Sequence, residues 1–209
     1  SFHFNNVCIE SLATYSPTNV VTSSELEDQI APLYKSLRIP FGTLERLSGV
    51  HSRYLWPATT RPSEVATEAA RKAIAQAGID PKEIGAVFNC SVTRDYFEPA
   101  TATLVHHNLG LNEKSFALDI TNACVGFSNG LILLGNLSAS GVVKAGLLCS
   151  GESVTRILDT CVAHIKKNPN ISREQLLRVV PTLTLGSGAV AAVLCHKSIA
   201  KSKHQLVAS

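Results

Sequence analysis

Cys124 and Glu98 are the side chains of this sequence best placed to do chemistry. Residues 116–120 read FALDI, a short apolar run of the kind that forms a buried strand. Thr121, Asn122 and Ala123 follow as a polar turn, and Cys124 stands at the head of an apolar helical pattern. Strand, tight turn, cysteine and helix is a geometry that lifts a nucleophile above a sheet and aims helix-terminal N–H groups at it. A helix N-terminus favours thiolate over thiol, which makes a better nucleophile. The other role of a free cysteine is that of a small buried hydrophobe, and placement alone leaves both open for Cys124. Glu98 lies in the polar loop TRDYFEP, residues 93–99, after a second strand-like run. A carboxylate there meets the dipole of the helix that follows.

The elements that must position these groups can be read from the pattern. Apolar runs at 4–11, 86–91, 116–120, 145–150 and 189–195 predict five strands. Helical patterns alternate with them. The first, at 25–37, is capped by Thr22-Ser23-Ser24 and shows Ile30, Leu33, Tyr34 and Leu37 on one face. The clearest runs from 64 to 77, with Pro62 and Ser63 as start signals and Gly78 as the stop. Others start in the turn containing Pro99 and end at Leu109, run from Cys124 to Gly141, and cover 153–165 and 172–179. Residues 17–21 read as a turn, 40–49 as irregular or a short helix, and 51–57 as an exposed segment. Strands alternating with amphipathic helices predict an α/β fold: a five-stranded, mostly parallel sheet with helices on both faces. Ligands in such sheets sit at the carboxyl ends of strands. Cys124, Glu98 and the pair Gly151-Glu152 all fall on that rim.

Composition narrows the function classes. The net charge of +3 is small and dispersed, which excludes a nucleic-acid footprint. Lys166-Lys167 and Lys201/Lys203 are read as solvated faces. No apolar run is long enough for a membrane helix, and no signal peptide is recognisable. The six cysteines are scattered without a C-x-x-C pair or partner histidines, which argues against a metal site or disulfide framework and for a reducing, cytoplasmic setting. Cys8, Cys90, Cys149 and Cys195 lie in strand-like runs and are expected to pack. The first strand–helix turn has no glycine-rich phosphate fingerprint, so a dinucleotide site is not expected. The chain opens on Ser1 and contains no methionine, as a processed or trimmed piece of a longer protein would.

The segment 119–127, Asp-Ile-Thr-Asn-Ala-Cys-Val-Gly-Phe, resembles the nucleophile segment of the thiolase superfamily in its ketoacyl-ACP synthase III branch. The segment 91–102, SVTRDYFEPATA, resembles the OleA-type enzymes of that branch, which condense two fatty acyl-CoA molecules head to head in olefin synthesis. Gly49-Val50-His51-Ser52-Arg53 before Leu55-Trp56, Gly151-Glu152, and the stretch TLTLGSGA at 182–189 fall in family order. The likeness runs from about Val7 to Cys195. It implies a thiolase-like layered αβα half. Residues 1–197 would be the nucleophile-bearing part and 198–209 a tail or linker towards a C-terminal half absent from this chain.

The resemblance also implies a mechanism. Cys124 would take the acyl group of a first acyl-CoA. Glu98 would remove the α-proton of a second and, in a homodimer, would reach into the neighbouring subunit's site. Arg53, Trp56 and Arg46 would contact the CoA nucleotide, with fatty acyl-CoA as substrate and no cofactor. The absent half would supply a histidine and an asparagine that polarise the thioester carbonyl. His106-His107 are expected at a surface or interface. Gly186-Ser187-Gly188 replaces the more common Gly-Asp-Gly and is read as a turn. Two alternatives stand beside this one: decarboxylative condensation with malonyl-ACP, and a non-catalytic dimerising half.

Overall fold

The computed structural model describes residues 3–207. In chain order its elements are β1 (Val7–Tyr15), β2 (Asn19–Thr22), α1 (Ser23–Gln29), α2 (Ala31–Ser36), α3 (Thr43–Ser48), β3 (Ser52–Leu55), α4 (Pro62–Ala77) and β4 (Ile84–Asn89). There follow α5 (Thr101–Leu109), β5 (Phe116–Asp119), α6 (Gly126–Ala139), β6 (Ala145–Glu152), α7 (Thr155–Lys167), α8 (Arg173–Leu183) and β7 (Gly188–His196). They form two compact units. One takes in the chain up to Tyr15, residues 60–152 and residues from 189 on; the other holds 16–59 and 153–188.

The first unit is the expected α/β layer. Its five-stranded sheet has the order β1-β7-β6-β4-β5. β4 pairs in parallel with both β5 and β6, whereas β1 runs antiparallel to β7 from Val7 opposite His196 to Tyr15 opposite Ala189. Side chains alternate across the strands. Ala86, Phe88 and Cys90 of the β4 run, Leu148 of β6, and Ala192 and Leu194 of β7 join Leu134 of α6 in one core, with Phe127, Leu131 and Leu137 partly buried against it. α4 lies against β1 and β6, and α5 against β4 and β5. Ala66, Ala69, Ala70 and Ala73 of α4 are fully buried, so the helix approaches the strands closely with no side chain to displace. Residues 201–207 lie along β1, with the N–H of Ile9 donating to His204 O (2.8 Å) and that of Leu206 to Val7 O (2.9 Å).

The second unit packs α1, α2, α7 and α8 around Leu26, Ile30, Leu33, Leu44, Leu158, Val162, Ile165, Leu176 and Leu183. Burying each such aliphatic side chain contributes roughly 1.5–3 kcal/mol. Here the structure corrects the sequence reading in three places. Residues 17–21 are not simply a turn, because Asn19–Thr22 is a strand. Residues 51–57 are not an exposed segment, because Ser52–Leu55 is its antiparallel partner and Arg53, Leu55 and Trp56 are buried. The helix expected at 25–37 is two helices that meet at Ile30, where Pro32 starts the second. Thr22 caps the first as expected, its hydroxyl accepting from Glu25 N–H (3.1 Å) while the Glu25 carboxylate accepts from Thr22 N–H (2.6 Å).

Glu27, 1% exposed, was not singled out by pattern. Its carboxylate accepts from the N–H groups of Gly42 (2.5 Å) and Leu44 (2.7 Å) at the start of α3, and from the Tyr34 hydroxyl (3.2 Å). Three donors account for this buried acid.

Candidate active site

The helix that follows the cysteine starts later than the pattern suggested. α6 opens at Gly126, with Val125 at its cap, so Cys124 lies in the turn just before it. That turn is tight. Val125 N–H donates to Asn122 O (3.0 Å), Gly126 N–H donates to Ala123 O (3.2 Å), and the Asn122 side chain reaches forward to Asn129 (2.7 Å). Ala123 has φ +44°, in the left-handed region that costs a residue with a Cβ roughly 1–2 kcal/mol. The strained residue immediately precedes Cys124. Gly130, one turn into α6, sits where a Cβ would lie 2.6 Å from Cys90 Sγ and 3.0 Å from Leu148 Cδ2. Only glycine lets the helix come this close to the strand ends.

Cys124 is exposed, whereas Cys8, Cys90, Cys149 and Cys195 are buried and Cys161 is half-buried; all six are free thiols. Burial pushes Cys90 up to about 12, aided by Asp119. Burial also pushes Cys195 up to about 12, with Glu10 and Cys8 adding to it. Cys149 is raised well above an ordinary thiol by burial first, then by Cys90 and Asp119. The packing role expected for the strand cysteines is the one they fill.

Glu98 stands exposed beside Phe97, which is 98% exposed, on the loop between β4 and α5. The tip of this loop is open, but its base is tied at several points. Val92 N–H (2.6 Å), Thr93 N–H (3.0 Å) and the Thr93 hydroxyl (2.7 Å) donate to the Glu152 carboxylate at the end of β6. The Arg94 guanidinium donates to the Thr121 hydroxyl in the cysteine turn. Asp95 accepts from Ser63 N–H (2.9 Å) and Ser63 Oγ (2.6 Å) at the start of α4. Arg61 lies 5.7 Å from the Tyr96 ring centre, a cation–π contact. Val92, Arg94, Asp95, Tyr96, Phe97 and Glu98 line an open hollow of about 910 Å³.

The helix after the loop begins at Thr101 rather than at Pro99, and its cap position is Ala100, which has no side chain to offer the free N–H groups. Asp119, at the end of β5, serves instead. Its carboxylate accepts from Thr101 N–H and Ala102 N–H (2.8 Å each) and from the Asn89 side-chain amide (3.3 Å). Asp95, Asp119 and Glu152 are the residues whose roles pattern reading missed. The one available signal was negative: a helix opening on Ala-Thr with no capping side chain of its own needs an acceptor from elsewhere.

The structure thus places Cys124 and Glu98 on the same unit, at the carboxyl rim of its sheet. Arg53, Trp56 and Arg46 belong to the other. Arg53 is 4% exposed and donates inward, to Val21 O (3.2 Å) and Ser23 Oγ (2.9 Å); burial lowers its guanidinium pKa. Trp56 is buried as well. Arg46 is exposed, its guanidinium donating to Thr43 Oγ1 (3.0 Å) in its own helix. His106 Nε2–H donates to Asn112 O (2.9 Å). Among the described residues no cluster of three or more metal-ligating side chains occurs, and no helix is long and apolar enough to cross a membrane.

The five-stranded sheet, with an exposed cysteine on a strained turn before a half-buried helix, is a thiolase-like α/β layer, and the chain is similar to condensing enzymes of the ketoacyl-ACP synthase III branch of that superfamily. Within that branch it is similar to acyl-CoA:acyl-CoA alkyltransferases. That of Shewanella oneidensis is 41% identical over 207 residues, covering 98% of this chain and 59% of that protein. That of Xanthomonas campestris is 34% identical over 196 residues, covering 94% and 58%. A β-ketoacyl-ACP synthase III from Novosphingobium aromaticivorans is 38% identical over 120 residues, or 55% of this chain. Crystal structures of Xanthomonas campestris OleA superpose with a TM-score of 0.90 at 33% identity, covering 95% of this chain and 60% of that one. They include forms substituted at a glutamate, and a cysteine-to-serine form with bound lauric acid and lauroyl-CoA (TM-score 0.89, 33% identity, 94% and 58% covered). No family model matches the chain. The chain spans about three fifths of the length of the relatives it matches.

Proposed function

We propose that this chain is the nucleophile-bearing part of an acyltransferase that joins two fatty acyl-CoA molecules by a Claisen condensation without decarboxylation. The observation that carries the proposal is the tied loop bearing Glu98 beside the cysteine rim. Decarboxylative ketosynthases form their carbanion by losing CO₂ and need no carboxylate base, whereas an enzyme working on plain acyl-CoA does. The spacing supports it as well: the glutamate and the cysteine substituted in the OleA structures are separated by the same number of residues as Glu98 and Cys124.

Cys124 Sγ attacks the thioester carbonyl of the first acyl-CoA, the carbon–sulfur bond to CoA breaks, and CoA leaves as its thiol once protonated. Glu98 then takes an α-proton from a second acyl-CoA. The resulting carbanion attacks the acyl-cysteine carbonyl, a carbon–carbon bond forms, and the Cys124 thiolate departs. The product is a 2-alkyl-3-ketoacyl thioester, which would feed hydrocarbon synthesis. The exposed tip at Phe97-Glu98 suits delivery into the site of a second subunit, so a homodimer is part of the proposal. The histidine and asparagine that polarise the carbonyl would come from the remaining part of the protein. Of the three nucleotide contacts expected, Arg46 is the one with an accessible guanidinium. The Arg53 and Trp56 side chains are buried.

The test is product analysis with lauroyl-CoA alone and with lauroyl-CoA plus a malonyl thioester. The proposal expects a branched 3-keto product from lauroyl-CoA alone. Product formed only when malonyl thioester is present would replace it with the ketoacyl-ACP synthase III reaction.

A further inference from the structure

The sequence placed Gly151-Glu152 on the functional rim, and the condensing mechanism leaves Glu152 without a part. Its geometry gives it one. We propose that Glu152 is a positioning residue for the Glu98 base, fixing the loop that carries it while leaving acyl transfer to Cys124 untouched; this rests on the condensing reading above.

Glu152 closes β6, which lies between β7 and β4 in the sheet. It is therefore fixed to a central strand and not to a mobile edge. Its two carboxylate oxygens collect three donors from the first residues of the loop: Val92 N–H at 2.6 Å on one oxygen, and Thr93 N–H at 3.0 Å and Thr93 Oγ1 at 2.7 Å on the other. Three converging donors call for an acceptor-only group, and a carboxylate is the side chain that meets all three. The loop has little apolar anchorage of its own, with Val92 50%, Tyr96 46% and Phe97 98% exposed. Gly151 makes the arrangement possible. A Cβ there would fall 2.3 Å from Pro62 O and 2.9 Å from Ala66 N, so glycine is what allows α4, whose start holds Asp95, to close on the same strand end.

Base catalysis depends on placement to a fraction of an ångström, and an error of about 1 Å can cost on the order of a hundredfold. The turn that holds Cys124 is linked to the loop by Arg94 on Thr121 but keeps bonds of its own, with Ile120 N–H on Asn89 O (2.8 Å) and those within the turn. Loosening Glu152 should therefore separate the two half-reactions.

The experiment uses the intact protein, this chain with the segment that completes it, carrying Glu152→Gln or Glu152→Asp. Glutamine presents an NH₂ group to one set of donors; aspartate keeps an acceptor-only head on a shorter stem. With lauroyl-CoA, E152Q is expected to release one CoA per site in a burst and to accumulate acyl-Cys124 by intact mass. Its condensation turnover should fall about a hundredfold, with E152D between it and the unsubstituted protein. Amide exchange across 92–98 is expected to quicken in E152Q while β6 and α4 stay protected. Burst and turnover falling by the same factor would make Glu152 a general stabiliser, and unchanged turnover would give it no role; either overturns the inference while the condensing reading stands. If the unsubstituted protein forms no acyl-Cys124, the condensing reading itself fails, and this inference with it.

Discussion

At the scale of single residues, exposure sorts the six thiols: four are buried, Cys161 is half-buried and one is exposed. Cys124 is the exposed one. With limiting iodoacetamide near neutral pH, label is expected on Cys124, with Cys90, Cys149 and Cys195 unmodified until the protein unfolds; peptide mapping checks this. The buried thiols also set a pH slope. Unfolded thiols ionise near about 8.5, whereas in the folded chain Cys90 and Cys195 are pushed up to about 12. A raised acid favours the folded state while both forms are protonated, and that advantage is lost as pH climbs from the unfolded value towards the folded one. Urea midpoints are therefore expected to be flat below pH 8 and to fall between pH 9 and 12, and Cys90→Ala should flatten part of the fall. Glu98→Gln tests the other chemical residue. Condensation should drop by about 10²- to 10⁴-fold. Because Glu98 is exposed, stability should move by no more than about 0.5 kcal/mol.

At the scale of elements, what reads clearly in the sequence is local and what does not is long-range. Four strands of the main sheet read clearly because each is an apolar run bounded by turn residues, and Gly78 marks the end of α4; β1 (Val7–Tyr15) runs four residues past the strand expected at 4–11. The β2–β3 ribbon does not read clearly. Asn19–Thr22 is short, and Arg53 in its partner is a charged residue at a buried position. The split between α1 and α2 was legible in Pro32 but outweighed by the continuous apolar face of Ile30, Leu33 and Tyr34. The caps supplied by Asp119 to α5 and by Asp95 to α4 were out of reach because the partners lie far along the chain, and only the folded sheet joins them. Two substitutions test this layer. Asp119→Asn replaces one acceptor with a donor facing helix N–H groups, and should cost about 1 kcal/mol of unfolding free energy. Gly151→Ala drives a methyl into Pro62 O and should cost about 1–3 kcal/mol. A urea titration reads both.

At the scale of the whole molecule, the first unit has the layers of a thiolase-type half, while the chain covers about three fifths of the relatives it matches. Apolar side chains stand open on β5 and on and before α6: Phe116 is 55% exposed, Val125 53% and Leu133 38%. Patches of this kind are covered in a working protein. Expressed by itself, the chain is expected to bind a hydrophobic dye and to self-associate, and to lose both properties when the remaining part is supplied. Cys124, its turn and the Glu98 loop are in place in this chain, and the central claim is that Cys124 is an acyl carrier. Intact-mass measurement of the complete protein before and after lauroyl-CoA tests that claim most directly, and is best made on the Glu98→Gln form, in which the intermediate should persist. A single acyl adduct that maps to Cys124 is the predicted result. An unmodified protein, or an adduct on any other residue, would contradict it.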